Sequence, residues 1–291
     1  MFGYSFPALF GQLLIGLING AFYAMLSLGL ALIFGMLRIV NMTHGAFYTL
    51  GGFAAWFLLN QFGIGYWWAL LVAPLLVAVV GVLIERTLLR WIYDIDHLYG
   101  LLLTLGIAFV IEGLLLNEFG SSGQPYDMPR QLATTLDLGF MYLPAYRGWV
   151  IVISIVICGA TYFVVERTRL GAYLRAATEN PALVQTFGIN VPRMVTLTYA
   201  LGAALAGFAG VMAAPIYQVS PNMGSDLLIV VFAVVVIGGL GSIAGSIVTS
   251  FGLGLAEGLT KVFFPEASNV VIFVIMAIVL LIRPSGLFGR A

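Results

Sequence analysis

"NMTHGAFYTLGG", residues 41–52, is a polar, glycine-rich stretch between two long apolar runs. It contains an Asn, a His, two Thr and three Gly, whereas the 291-residue chain as a whole is 62% hydrophobic and 8% charged, with a mean hydropathy of +1.08. A soluble domain usually carries about 25% charged residues. Long apolar runs at so low a charge indicate a helical membrane protein, because a helix pairs its own backbone polar groups in lipid. The alternating ten-residue segments typical of a transmembrane barrel are not visible.

The apolar runs predict an all-α polytopic membrane protein with about eight or nine transmembrane helices. A span needs about 20 residues. The stretch 226–263 is either two spans or a re-entrant hairpin, broken at the glycines Gly238, Gly239 and Gly241. We expect one transmembrane domain over residues 1–291, with long loops at 120–147 and 167–193. The predicted spans are 9–37, 43–60, 66–89, 98–119, 148–166, 194–215, 226–239, 242–263 and 268–283.

The basic residues predict the orientation, because cytoplasmic loops carry an excess of Lys and Arg. This places the N-terminus outside, the C-terminus and the 167–193 loop in the cytoplasm, and the 120–147 loop outside. One side of the predicted bundle collects Arg38, Arg86, Arg90, Arg167, Arg169, Arg175, Arg193, Arg283 and Arg290. The other side has Arg130, Arg147 and Lys261.

The sequence lacks the residues that several kinds of functional site require. Lys261 is the only lysine, and no GxxxxGK precedes a Ser or Thr, so the chain has no nucleotide-binding P-loop. The two histidines, His44 and His97, have no Cys or carboxylate partners at metal-ligand spacing. We therefore expect no catalytic residue, no metal site and no cofactor, and the net charge of zero offers no basic patch for nucleic acid.

The 167–193 loop predicts a short amphipathic helix of about two turns at the membrane surface. Asn180 and Pro181 are typical of a helix cap and a first helical residue, and Gly188 is a typical end. Such a helix either forms a docking site for a cytoplasmic partner or simply links two spans at the interface. Its apolar side would carry Leu183, Val184 and Phe187.

Polar residues inside predicted spans are candidates for a transport pathway, because an ionisable group facing lipid is costly. Asn19, with Gly20 and Tyr23, either lines the pathway or makes an interhelical hydrogen bond. Glu112 either lines the pathway or pairs locally. Glu257 and Lys261 are four residues apart on one helix face, which favours a simple ion pair.

The opening stretch directly follows Arg38, so the charge pattern places it at the cytoplasmic end of the first span, where it is interpreted as a helix break and a candidate gate. Asn41 or Thr43 would cap the next helix, and Gly45 permits close packing. Histidine as a residue type titrates near neutral pH, but nothing around His44 in the sequence makes it a catalyst. Pairs of small residues four apart, such as Gly202 and Ala206, favour internal helix packing over a dimer seam.

Four segments resemble the branched-chain amino acid ABC transporter permease family. They are "GLINGAFYAMLSLGLALIFGMLRIVNMTHGAFYTLGG" (16–52), "RAATENPALVQTFGINVPRMVTLTYALGAALAGFAGVMAAP" (175–215), "VVIGGLGSIAGSIV" (235–248) and "RPSGLFGR" (283–290). They extend over nearly the whole chain in the family's order. The chain departs from the pattern of other ABC importers in that Arg175 stands where a Glu would begin it.

The resemblance implies one half of a transmembrane pore with an ABC importer permease fold. It implies a second, similar permease, which forms a heterodimer or is another copy of this chain. It also implies two cytoplasmic ATPases that bind ATP and magnesium, and an external solute-binding protein. Cargo would be branched-chain or other apolar amino acids, with urea, short amides or aromatic acids as alternatives; a self-sufficient secondary transporter or channel is the rival class. The location would be the bacterial plasma (inner) membrane. Coupling to the ATPases would fall on Arg175, Ala176, Ala177, Glu179, Asn180, Pro181 and Gly188.

Overall fold

The structure is a computed structural model that describes residues 6–37, 39–93, 95–137 and 139–289, and this part of the chain is mainly helical. Arg38 and Arg290, two of the basic residues used for the orientation, lie outside the described residues. Short 3-10 turns and one antiparallel hairpin, β1 (Thr135–Asp137) with β2 (Tyr142–Pro144), complete the fold. The helices are α1 (Phe6–Leu37), α2 (Thr43–Phe62), α3 (Tyr66–Thr87), α4 (His97–Phe119), α5 (Ala145–Arg167), α6 (Arg169–Glu179), α7 (Pro181–Thr186), α8 (Val191–Ala213), α9 (Met223–Gly238), α10 (Ile243–Phe263) and α11 (Val271–Ile282).

Each of the nine predicted spans corresponds to a helix, which confirms the all-α class. Among the described residues, six helices are long and apolar enough to cross a membrane, namely α1, α3, α4, α5, α8 and α10. The other three are α2, which carries the polar stretch, and the shorter α9 and α11, with 16 and 12 residues. The observed boundaries differ from the predicted ones by at most three residues, and α5 begins at Ala145, which shortens the predicted 120–147 loop.

α1 is the central helix and α4 is peripheral. In the apolar core of α1, 78% of residues are buried, against 11% in α4. α1 contacts α10, α8, α5 and α9, whereas α4 packs mainly against α2. The most buried helix is therefore also the longest, at 32 residues.

Glycines allow the buried helices to approach backbone to backbone. A Cβ on Gly51 of α2 would overlap the carbonyl of Gly207 in α8, and one on Gly210 would overlap the carbonyl of Tyr48. Gly202 faces the carbonyl of Gly29 in α1. The prediction of internal packing at these small residues is thus confirmed.

The break at 238–242 separates two distinct helices. α9 ends at Gly238, and Gly239 and Gly241 have φ of 101° and 83°, conformations that favour glycine. α10 then runs antiparallel along α1, with Gly241 beside Gly35 near one end and Gly254 beside Gly16 near the other. α10 thus runs along α1 as a membrane-crossing helix, whereas α9, with 16 residues, is shorter than the helices that can cross by length.

The C-terminal segment 283–289 folds back onto the end of α9. Leu287 N donates to Ile237 O at 2.8 Å and Phe288 N donates to Gly238 O at 3.1 Å. The last carbonyls of a helix have no partner within that helix. The "RPSGLFG" stretch therefore caps α9, a role that the sequence did not predict.

We expect Gly51→Ala to destabilise the protein by about 1–3 kcal/mol, because the added methyl group forces α2 and α8 apart. The matched control is Gly159→Ala in α5, where a Cβ meets nothing within 4 Å. That control should be neutral or stabilising by up to about 1 kcal/mol, because Ala favours a helix over Gly. Thermal unfolding of both variants in detergent measures the difference, and equal midpoints would contradict the close crossing.

Candidate functional site

At one end of the bundle, α6 and α7 form a compact projection between α5 and α8. Asn180 caps α7, since its Oδ1 accepts a hydrogen bond from Leu183 N at 3.0 Å. Pro181 is the first helical residue, and Gly188, with φ of 80°, follows the end of the helix. This confirms the short helix predicted within the 167–193 loop.

The projection has one buried face and one exposed apolar face. Val184 and Ala177 are buried together with Val191 and Val195 of α8, against Met36 and Leu37 at the end of α1. Leu183 and Phe187, which were predicted to share one apolar side with Val184, lie instead on the other face and are 53% and 76% exposed. A shallow cleft runs between the two helices, lined in part by Tyr173, Ala176, Glu179, Asn180, Leu183 and Phe187.

The residues that the resemblance assigns to coupling divide between these faces. Ala176, Glu179, Asn180, Pro181 and Gly188 are exposed, whereas Ala177 is buried. Arg175 is half-exposed and directed to the end of α5, because its Nη1 donates to Val165 O at 2.7 Å and pairs with Glu166 Oε2 at 3.2 Å. Arg175 therefore fastens α6 to the end of α5.

The polar stretch at 41–45 lies inside the bundle, not at its end as the charge pattern predicted. Met42 N donates to Thr104 Oγ1 at 3.1 Å, and Thr43 Oγ1 donates to Thr104 O at 2.8 Å. Thr104 is seven residues into α4, or about 10 Å from its start. The charge pattern could not predict this location, because it concerns only a basic residue before the stretch. The chain then turns back and contacts both α4 and α1.

The capping prediction for this stretch is half right. Asn41 Oδ1 accepts from Thr43 N at 3.1 Å and so pairs a free N–H of the first turn. Thr43 does not cap α2, because its hydroxyl is directed to α4 and Met42 occupies the cap position.

His44 and Gly45 join α2 to its neighbours. His44 is fully buried, and its Nε2 lies 2.9 Å from the carbonyl of Leu26 in α1, which requires the Nε2–H tautomer. A Cβ on Gly45 would lie 2.7 Å from Gly224 O, so the starts of α2 and α9 touch. Gly224 N also donates to Thr49 Oγ1 at 3.1 Å.

A buried polar cluster connects α1, α10 and the segment before α9. Lys261 Nζ pairs with Glu257 Oε1 at 2.6 Å, which confirms the predicted ion pair. The same carboxylate accepts from Asn19 Nδ2 at 3.1 Å and from Tyr23 OH at 2.8 Å, so the interhelical interpretation of Asn19 holds. Tyr217 OH donates to Asn19 Oδ1 at 3.1 Å. Sequence spacing identified the pair but not the three residues around it.

The remaining pathway candidates, Gly20 and Glu112, lie in different parts of the bundle. Gly20 faces α10, where a Cβ would lie 3.1 Å from Ser250 O, so it is a packing position. Glu112 lines a cavity between α2, α4 and α9, which also touches Gly45 and Thr49.

Glu85 is a buried carboxylate that sequence reasoning missed. It lies in the last turn of α3, is 2% exposed, and accepts from Tyr93 OH at 2.7 Å and Thr196 Oγ1 at 2.8 Å. Burial raises the pKa of Tyr93, and its hydrogen bond to Glu85 raises it further, so the phenol remains a donor. A carboxylate in "IERT", next to Arg86, looks solvated in sequence, and only the packing of α8 buries it.

Known proteins are similar to this chain over most of its length. The family model described as the branched-chain amino acid transport system permease component matches residues 12–280. The high-affinity branched-chain amino acid transport system permease protein LivH of Escherichia coli (strain K12) is 27% identical, over 96% of this chain and 95% of its own length. BraD of Pseudomonas aeruginosa, a permease of the same description, is 29% identical over the same shares. The permease LivM of Escherichia coli (strain K12) is 28% identical, over 91% of this chain and 67% of its own length. No solved structure matches the chain significantly.

We expect His44→Ala to impair folding or assembly, at a cost of about 2–5 kcal/mol, because it leaves a void against α1 and removes the bond to Leu26. The matched control is His97→Ala, at the exposed start of α4. The yield of monodisperse protein and its thermal unfolding measure the effect. An intact, equally stable His44 variant with unchanged transport would remove His44 from the candidates.

We expect Lys261→Met to destabilise the protein, because it leaves the Glu257 carboxylate buried without its cation. Removing one partner of a fully buried pair costs about 3–5 kcal/mol, and the 31% exposure of Lys261 places this case at or below the lower end. Adding Glu257→Gln to Lys261→Met should recover most of the loss in thermal unfolding. Additive losses would show that the pair does not act as a unit.

Proposed function

This chain belongs to the family of branched-chain amino acid transport permeases, and we propose that it is the membrane-spanning subunit of an ATP-driven importer of branched-chain or other apolar amino acids. Its relatives are named as transport permeases. ATP and magnesium would bind to partner subunits, and this chain would supply half of the pore.

The observation that carries this proposal is the projection formed by α6 and α7. An importer whose ATPases are separate subunits, bound at the membrane surface, needs a rigid surface on which those ATPases can act. The exposed Leu183 and Phe187 offer apolar anchors of the type that dominate binding at interfaces. The opposite face of the projection packs on the end of α1, the central helix. A displacement of the projection would therefore act directly on the core of the bundle.

The orientation follows if this projection is cytoplasmic. The ends of α3 and α5 and the start of α8 carry Arg86, Arg167 and Arg193, and the C-terminal segment begins with Arg283. By the positive-inside rule, these arginines support a cytoplasmic location for this end and an external N-terminus. For a bacterial protein the membrane would be the plasma (inner) membrane.

The remaining partners are a second permease, two ATPases and an external binding protein. Similarity to both LivH and LivM, each named as a permease of the same transport system, supports pairing with a related chain. The peripheral α4, with Leu102, Phe109 and Leu114 each more than 60% exposed, leaves an apolar face available within the membrane.

We expect Phe187→Ser to weaken association with the ATPases by about tenfold or more, because truncation of a central aromatic anchor typically costs about 2 kcal/mol or more. Phe264→Ser is the matched control, since Phe264 is 69% exposed near the opposite end of the bundle. Co-purification of ATPases encoded in the same gene cluster, together with ATP-dependent uptake of leucine, measures both effects. Unchanged association in the Phe187 variant would contradict docking at this projection.

A second experiment separates the importer from a self-sufficient transporter or channel. Reconstituted alone in liposomes, the chain should not move leucine along a proton or sodium gradient. Gradient-driven uptake without ATPases would overturn the proposal. Uptake of urea or aromatic acids, but not leucine, by the complete system would instead change the cargo.

A further inference from the structure

A cavity opens between α2, α4 and α9, where two helices begin inside the bundle. Most of the side chains that line it are apolar. Gly45 and Thr49 of α2 form one wall, and Ser225 and Leu228 of α9 form another. The α4 wall is apolar apart from one group, and it comprises Leu105, Ala108, Phe109, Ile111, Glu112 and Leu115.

The exception in that wall is the Glu112 carboxylate. Within the described residues, Glu112 makes no hydrogen bond or ion pair, in contrast to Glu257 and Glu85, which have three and two partners. Its neighbours on the outer side of α4, Val110 and Leu114, are more than 60% exposed. A half-buried carboxylate without a partner in a membrane-spanning helix points to function, because contact with lipid is costly.

We propose that this cavity binds the transported amino acid and that Glu112 accepts the hydrogen bonds of its ammonium group. An ammonium group offers three donors to a carboxylate and supplies the missing charge. The walls formed by Leu105, Phe109, Leu115 and Leu228 take the apolar side chain. This inference rests on the proposed function for the identity of the ligand, although the site itself does not depend on an ATPase.

The α9 side of the cavity suits the other end of the ligand. α9 begins at Met223, so the positive end of its dipole faces the cavity next to Ser225. Asp226 in the same first turn is also exposed and adds a negative charge, which reduces this attraction for a carboxylate. The ammonium contact at Glu112 is therefore the contact on which binding depends, and the carboxylate contributes less.

The test uses cysteine labelling of the full chain, in membranes from cells that express its whole gene cluster. The single native Cys158 is buried in α5 and is replaced by Ala. Ser225→Cys then places one thiol at the exposed edge of the cavity. N-ethylmaleimide reacts with the thiolate, so labelling requires water at that position. The probes are L-leucine, 3-methylbutylamine, which keeps only the amine, and 4-methylpentanoate, which keeps only the carboxylate.

We expect L-leucine and 3-methylbutylamine at millimolar concentration to slow labelling at least threefold, and 4-methylpentanoate to have little effect. Glu112→Gln should abolish the protection while preserving shape. Glu118→Gln is the matched control, because Glu118 lies on the exposed side of α4 and does not line the cavity. Protection that survives Glu112→Gln, equal protection by 4-methylpentanoate, or a thiol that does not react at all would each overturn the inference.

Failure of this inference is distinguishable from failure of the proposed function. Normal ATP-dependent leucine uptake without protection of the thiol would reject the cavity and leave the importer in place. Amine-specific protection that requires Glu112, in a chain that imports no leucine, would support the cavity and reject the proposed cargo.

Discussion

The structure depends on one constraint: the interior of a membrane offers no water to pair a backbone polar group, so every break in a helix must be covered by protein. Three breaks show how the constraint is met. At 39–43, Thr104 of α4 pairs with the backbone of Met42 and with the Thr43 hydroxyl. At the start of α9, Thr49 pairs with Gly224, and at its end the chain's own C-terminal segment supplies two N–H groups.

Close helix packing makes these hydrogen bonds at the helix breaks possible. The glycines of α2, α8 and α9 bring backbones so near that a hydroxyl on one helix reaches the free N–H group of another. The same packing sets α2 and α9 start to start, beside the cavity that contains Glu112. Discontinuous helices that meet inside a bundle are a known way to build a transport site, because they present helix ends and loop backbone at depth.

The candidate coupling surface and the proposed binding cavity are connected through α1 and α2. The buried face of the projection packs on the end of α1, and His44 of α2 bonds to Leu26 of the same helix. α2 in turn forms one wall of the cavity. A continuous series of packed contacts therefore joins the candidate coupling surface to the cavity.

The sequence by itself determined the all-α membrane class, the nine helical segments, the Asn180–Pro181 cap and the Glu257–Lys261 pair. Each of these depends on local rules of apolar length, capping and i, i+4 spacing. Only the tertiary structure decided that residues 41–45 lie inside the bundle, that Arg175 bonds to the end of α5, that Asn19 and Tyr23 join Glu257, and that the C-terminal segment caps α9. These contacts join residues far apart in the chain. Their partners are fixed by how the helices pack, which no local pattern encodes.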